Sequence, residues 1–285
     1  MENANNILTA IYAIAISKNM TLPKVESDTN NRINQIGNPL EVYVKNAFAG
    51  TLGEHDPQTR LNKYSSCFSW TGNKNNPPDF MLQHGDAVEV KKISGTRGTI
   101  QLNSSYPKQR LFSSDPMVTQ SCRDSENWVE KDLLYVIGHV KNQTQLQSLW
   151  MVYGDCFIAT SDVYTRVANA VRNGILQSEL QLNTETKELA RVNQVDPLGI
   201  TSLRVRGMWI IANPAQLFAD LVPQSPAKFT INALMSEAKF LSCPEHDRQR
   251  LNDLPSAMFE SHTINIPLPD NPAKLQRAIF MRLSL

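Results

Sequence analysis

The spacing of apolar residues changes several times along the chain, and each change marks an element. Residues 5–18 are apolar over 7–16 and predict a helix, buried or facing a partner. Residues 22–35 are polar and loop-like. Gly37-Asn38-Pro39 opens a second helix, with Asn38 as N-cap and Pro39 at the first helical position, running to about Gly50. Residues 64–70 alternate as a strand does, and 72–78 follow as a loop. Residues 87–93 (AVEVKKI) alternate again. Residues 94–131 are polar with helix-like pieces. The unbroken apolar run 132–140 (DLLYVIGHV) predicts a strand covered on both faces, and 148–154 (SLWMVYG) pairs with it as a hairpin. Ser161 is placed to cap a helix over 162–173. Beyond Gly174, the charged stretch 184–193 predicts a helix, 196–199 a turn and 200–211 a strand. One or two helices and a proline-punctuated end follow from Pro214. Strands then helices, with few β-α-β units, predict an α/β (α+β-like) fold: a mixed sheet flanked by helices. Residues 1–175 read as the chemical core. Residues 176–285 read as a recognition and dimerisation extension, packed with the core as one continuous domain.

Composition narrows the function classes. The 285 residues are enough for one large domain, and 41% hydrophobic with 19% charged residues is ordinary for a soluble globular protein. A formal net charge of +1 argues against a histone-like coating protein, so any nucleic-acid surface must be a local basic patch. Cys67, Cys122, Cys156 and Cys243 form no C-x-x-C pair, which argues against a zinc site and fits the reducing cytoplasm. The apolar run 7–16 has no basic residue before it and is too short to span a bilayer. No other segment reaches membrane length. The chain carries neither H-E-x-x-H nor G-x-x-x-x-G-K-[ST].

The stretch Asn76-Pro77-Pro78-Asp79, followed after nine residues by Glu89-Val90-Lys91, points most directly to chemistry. Glu89 and Lys91 share one face of the 87–93 strand, and Val88 and Val90 share the other. Gly85-Asp86 supplies a turn before it. If residues 80–83 run antiparallel to that strand, Asp79 meets Glu89 at the same end of the pair. Two carboxylates there would suit Mg²⁺, and a neighbouring lysine would hold an attacking water. A solvated strand face carries the same alternation, so the pattern alone leaves both readings open. Glu41 borders the apolar stripe of the 39–48 helix and is a candidate third carboxylate. It also stands four residues before Lys45, the spacing of an ordinary surface pair.

Further residues are candidates for DNA contact. Ser104, Ser105, Tyr106 and Lys108 offer hydroxyls and an ammonium that could bind phosphates, or simply cap a turn. Trp128 fits a core position better than a base-stacking one. In Leu203-Arg204-Val205-Arg206 the two arginines share a strand face, and arginine matches guanine O6 and N7 with two hydrogen bonds. Arg191, Asn193 and Gln194 could supply neighbouring contacts.

Pro78-Asp79 with Glu89-Val90-Lys91 resembles the PD-(D/E)xK nuclease motif in its restriction-endonuclease form. More narrowly, the chain resembles the NgoPII family of type II restriction endonucleases. The stretches that carry this are Asn31-Arg32-Ile33-Asn34, Glu41-Val42-Tyr43-Val44-Lys45, Asn75 to Asp79, Gly85 to Lys92, Leu102 to Lys108 and Val195 to Trp209. The resemblance implies a restriction-endonuclease-like core in a homodimer that cuts double-stranded DNA at GGCC with Mg²⁺, beside a cognate methyltransferase. By the motif, Asp79 and Glu89 would be metal ligands and Lys91 the catalytic lysine, whereas Glu41 lies outside it. Two other functions stay open: a structure-specific repair or junction nuclease with the same core, and a non-catalytic DNA-binding protein.

Overall fold

The computed structural model describes residues 5–23, 38–73, 76–95, 98–102, 105–142, 144–176, 189–198, 200–222 and 226–285. In chain order its elements are α1 (Ile7–Ser17), α2 (Pro39–Phe48), α3 (Pro57–Cys67), β1 (Phe68–Asn73), β2 (Asn76–Leu82), β3 (Ala87–Ile93), β4 (Ile100–Gln101), β5 (Arg110–Phe112), α4 (Gln120–Arg123), β6 (Glu130–Lys141) and β7 (Gln145–Tyr153). Then come α5 (Ser161–Leu176), β8 (Ala190–Val192), β9 (Leu203–Val205), β10 (Ile210–Ile211), α6 (Pro214–Leu217), β11 (Thr230–Ser236), α7 (Glu237–Ser242), α8 (Glu245–Asn252), β12 (Phe259–Leu268) and β13 (Asn271–Ser284).

One mixed sheet organises them, in the order β1-β2-β3-β6-β7-β11-β13-β12, with β5 also paired to β6. The β3–β6 and β7–β11 pairings are parallel and the others antiparallel. The central strands are buried on both faces, as their unbroken apolar runs require. Along β6, Leu134 and Val136 join the layer that holds α1 and α2, and Leu133, Tyr135 and Ile137 join the opposite layer. Asn6 caps α1 by accepting the N–H groups of Leu8 and Thr9, and Asn38 caps α2 by accepting that of Leu40. Gly138 lets α2 approach the sheet closely: a Cβ there would stand 2.6 Å from Leu40 Cδ2.

The expected class, a mixed sheet with flanking helices, is the one observed. Several elements differ from expectation. The strand expected at 64–70 is the end of α3 followed by β1; Asp56 caps a helix with Pro57 in its first turn and carries it through Cys67. The loop expected at 72–78 contains the start of β2. In 94–131 the described residues form only α4 and the short strands β4 and β5, with β6 beginning at Glu130. Of the helix expected at 184–193, residues 184–188 lie outside the described residues and Ala190–Val192 is a strand. The strand expected at 200–211 is broken into β9 and β10, which belong to different two-stranded sheets. The end expected as helices and prolines contains β11, β12 and β13, all members of the central sheet. Pro267 is tolerated because β12 is an edge strand.

Candidate active site

The catalytic candidates gather where β2 leaves the β3 ladder. Pairing between these strands consists of Phe80↔Val88 and Met81↔Ala87. Towards its start, β2 bulges away from β1: Thr71 faces Phe80, but Asn73 faces Asn76. Gly72 sits opposite the extra residues, where an added Cβ would lie 2.3 Å from the Pro78 carbonyl oxygen, so no larger residue fits. Beyond the last ladder pair the Val90 N–H needs an acceptor. Asp79 Oδ2 supplies it at 2.6 Å. A sharp divergence of the backbone thus aims a carboxylate across the gap it opens.

Glu89 and Lys91 share a strand face and meet directly, Lys91 Nζ lying 2.5 Å from Glu89 Oε1, with side chains 16% and 21% exposed. The structure therefore brings Asp79, Glu89 and Lys91 together. Their ionisation is linked. Burial pushes the Asp79 carboxyl well above its usual range and the Glu89 charge pushes it further, against the pull of Lys91 and of the Val90 N–H. Burial alone would lower Lys91, but Glu89 and then Asp79 outweigh it, and the ammonium ends above its ordinary value. Glu41 raises both groups, so α2 contributes to the field at the site. Its own contact is with Lys45 at 2.9 Å, both side chains nearly buried. The i,i+4 pair and the link to the site thus coexist. Lys45 is a neighbour of the site that the sequence presented only as Glu41's partner.

Asp79 and Glu89 are the residues that could hold a cation here. A cation that ionised Asp79 would meet three carboxylates, with Glu41 and Glu89, against the ammonium groups of Lys45 and Lys91. Among the described residues no three His, Cys, Asp or Glu side chains converge as a ready metal site. Such an ion would therefore complete its shell with water and phosphate oxygens.

The raised Asp79 has a consequence for stability. A carboxyl whose folded pKa lies above its unfolded value favours folding only while protonated, and that contribution is lost as pH rises through the folded pKa. Asp79→Asn should therefore melt higher than the native protein at pH 8, by the equivalent of about 0.5–2 kcal/mol. The gap should narrow as the pH is lowered towards 5. Calorimetry across that range checks it, and a variant that melts lower at pH 8 contradicts it.

The other candidates are placed as follows. Ser104 lies outside the described residues, and Ser105 is partly buried. Tyr106 stacks on Tyr164 at 5.8 Å and meets the edge of Trp209 at 6.3 Å. Lys108 differs from the exposed phosphate contact expected of it. It is buried, its Nζ is 3.0 Å from Asp115 Oδ1 and lies over the Tyr106 ring, and its backbone N–H and C=O both bond the Tyr135 hydroxyl. Trp128 donates to the Cys122 carbonyl and packs against the core, as its composition context suggested.

The remaining basic candidates lie on the β8–β9 hairpin. Arg191 pairs directly with Arg204 across it, so the two exposed side chains share a face, and Ala190, Val192, Leu203 and Val205 occupy the other. Directly opposed like charges disfavour a sheet pair. Arg206 follows β9 and is exposed, and Asn193 is partly buried beside Ser202. β10 continues from this hairpin and pairs with β4, which follows the Lys91 strand, and the Leu102 N–H donates to the Trp209 carbonyl. The ribbon is thereby tied to the segment that follows the strand carrying Glu89 and Lys91.

The family model described as NgoPII restriction endonuclease matches residues 5–267, and the chain is 41% identical over 276 residues to the Type II restriction enzyme NgoPII of Neisseria gonorrhoeae, covering 96% of this chain and 97% of that one. The chain belongs to the NgoPII restriction endonuclease family. It is therefore a restriction endonuclease, an enzyme that cleaves double-stranded DNA at specific sites. The family match includes the Asp79–Glu89–Lys91 region and the β8–β9 ribbon alike. No solved structure matches the chain. Among the described residues no helix is long and apolar enough to cross a membrane.

Proposed function

We propose that this member of the NgoPII family cuts both strands of DNA at GGCC with Mg²⁺, leaving 5′-phosphate and 3′-hydroxyl ends. It does so as a homodimer, opposite a methyltransferase that protects the same sites. The observation that carries the catalytic part is Asp79 anchored on the Val90 N–H beside the Glu89–Lys91 pair. Asp79 and Glu89 are the groups we assign to the cation. When bound, Mg²⁺ lowers the pKa of a coordinated water and neutralises charge on the phosphodiester. The Lys91 ammonium orients the attacking water and stabilises the negative charge that develops at phosphorus. A bond forms from the water oxygen to phosphorus as the bond to the 3′ oxygen breaks. Glu41, held by Lys45, adds to the field that keeps Lys91 charged.

Recognition we assign to the Arg191–Arg204 face and to Arg206, because a two-stranded ribbon fits the major groove and two arginines suit adjacent guanines. A two-fold dimer would present one such ribbon to each half of a palindrome. Residues 1–175 would then carry the chemistry and 176–285 the recognition, packed as one continuous domain. Digestion of DNA of known sequence, with both ends mapped, tests the whole reading. Cuts confined to GGCC with 5′-phosphates are expected; smeared or branch-dependent cutting overturns it. Arg204→Ala should lose about 1–3 kcal/mol of discrimination at one base pair. A uniform loss over all sequences, with a shallower salt dependence, would instead make Arg204 a phosphate contact.

A further inference from the structure

The link between β8 and β9 ends in side chains of the wrong character for a solvated turn. Leu198 is 83% exposed and Ile200 79%, and Leu203 at the start of β9 is 51% exposed. These aliphatics do not sit on a loose loop. One Asp196 oxygen accepts the N–H groups of Leu198 at 3.1 Å and Ile200 at 3.3 Å, and the other accepts that of Thr201 at 2.6 Å. The Val195 N–H closes the turn on the Thr201 carbonyl at 2.9 Å. Hydrogen bonds from Thr201 first, and then from Ile200 and Leu198, hold the Asp196 carboxyl down to about 2. The clamp is therefore ionised throughout the neutral range. Pro197 fixes its own backbone angle beside the clamp. A braced turn that pushes two bulky aliphatics into water is explained by what it meets when DNA is bound.

The same hairpin carries the opposed Arg191–Arg204 pair on one face. A protein surface accepting this tip would have to match two adjacent guanidinium groups as well as two aliphatics. A nucleic-acid duplex satisfies both demands, with its phosphates and guanine edges for the arginines and its stacked bases for the aliphatics. Leucine and isoleucine are among the side chains that enter base steps as wedges and part them. We propose that Leu198 and Ile200 form a wedge that enters the base stack of the bound duplex, next to the base pairs facing Arg191 and Arg204. The inference rests on the reading that this ribbon faces DNA.

The test uses the full-length enzyme, with Ca²⁺ to permit binding without cutting, and GGCC duplexes carrying 2-aminopurine at successive positions in and around the site. Native protein at saturation should raise the fluorescence at one step at least twofold. The double variant Leu198→Ser/Ile200→Ser should abolish that rise while anisotropy still reports binding. Retention of the rise by the double variant, or its absence at every position with native protein, overturns the wedge. An unchanged rise together with altered sedimentation of the DNA-free variant would assign the tip to a second copy of the chain, and also overturns it. Arg204→Ala in the same assay separates the two readings. If it alters binding or discrimination while the double variant keeps the rise, the ribbon stands and the wedge alone fails.

Discussion

Lys91→Ala protein should bind its DNA site in Ca²⁺ about as well as the native enzyme and cut it in Mg²⁺ roughly 10²–10³-fold more slowly. The side chain has no structural duty that would make the variant unfold. It is one-fifth exposed and its partner is Glu89, itself part of the site. On the proposed mechanism, loss of the ammonium would remove the group that steadies the water and the developing charge, and would leave Asp79 and Glu89 to repel one another more strongly. The cation should therefore bind at least as well while turnover falls. Single-turnover cleavage, run beside binding by anisotropy, separates the effects. Cutting within a few-fold of the native rate would remove Lys91 from the chemistry.

Lys239→Met should destabilise the fold by about 3–5 kcal/mol, because it strands two carboxylates. Lys239, on α7, donates to Asp86 Oδ1 at 2.5 Å and to Asp132 Oδ2 at 2.8 Å, and the second Asp86 oxygen accepts the Tyr153 hydroxyl at 2.6 Å. Asp86 belongs to the turn between β2 and β3, so a lysine from the last quarter of the chain holds the hairpin that carries Asp79 and Glu89. Burial works against the Lys239 charge, but Asp86 and then Asp132 outweigh it and raise the ammonium above its ordinary value. The contribution is thus intact at neutral pH and is lost only as the pH climbs through the raised value. Urea titration at pH 7 measures the loss. A drop under 1 kcal/mol would mean that water substitutes for the lysine.

What could be read from the residues was local. Asn38 and Pro39 announce α2 because a cap and a first-turn proline are chemical signals within three residues. The β6–β7 hairpin is announced by apolar runs that need cover on both sides. The meeting of Asp79 with Glu89 follows from strand parity and a short turn. Pairing between distant segments left no such trace. The parallel β7–β11 contact joins residues about 80 apart. In β13 the residues before Ala278 are largely exposed, and only its second half, from Ala278 to Leu283, is buried in the core. The 64–70 stretch combines aromatic and hydroxyl residues that suit either state; the helix capped by Asp56 claims it as far as Cys67, and β1 takes the rest. The burial of Lys108 against Asp115 and Tyr135 is a tertiary contact that no local pattern announces.

The parallel seam between β7 and β11 also bears on the life of the enzyme before it is complete. A ribosome that has released two hundred residues has made the carboxylates and the lysine, but β7 still has a bare flank, and neither Lys239 nor the strands that finish the sheet exist. Such a nascent chain lacks the Lys239 brace for the β2–β3 hairpin, and closure across so long a separation is slow. Full assembly of the sheet waits for β11, β12 and β13, which are all made after the hairpin that carries Asp79 and Glu89.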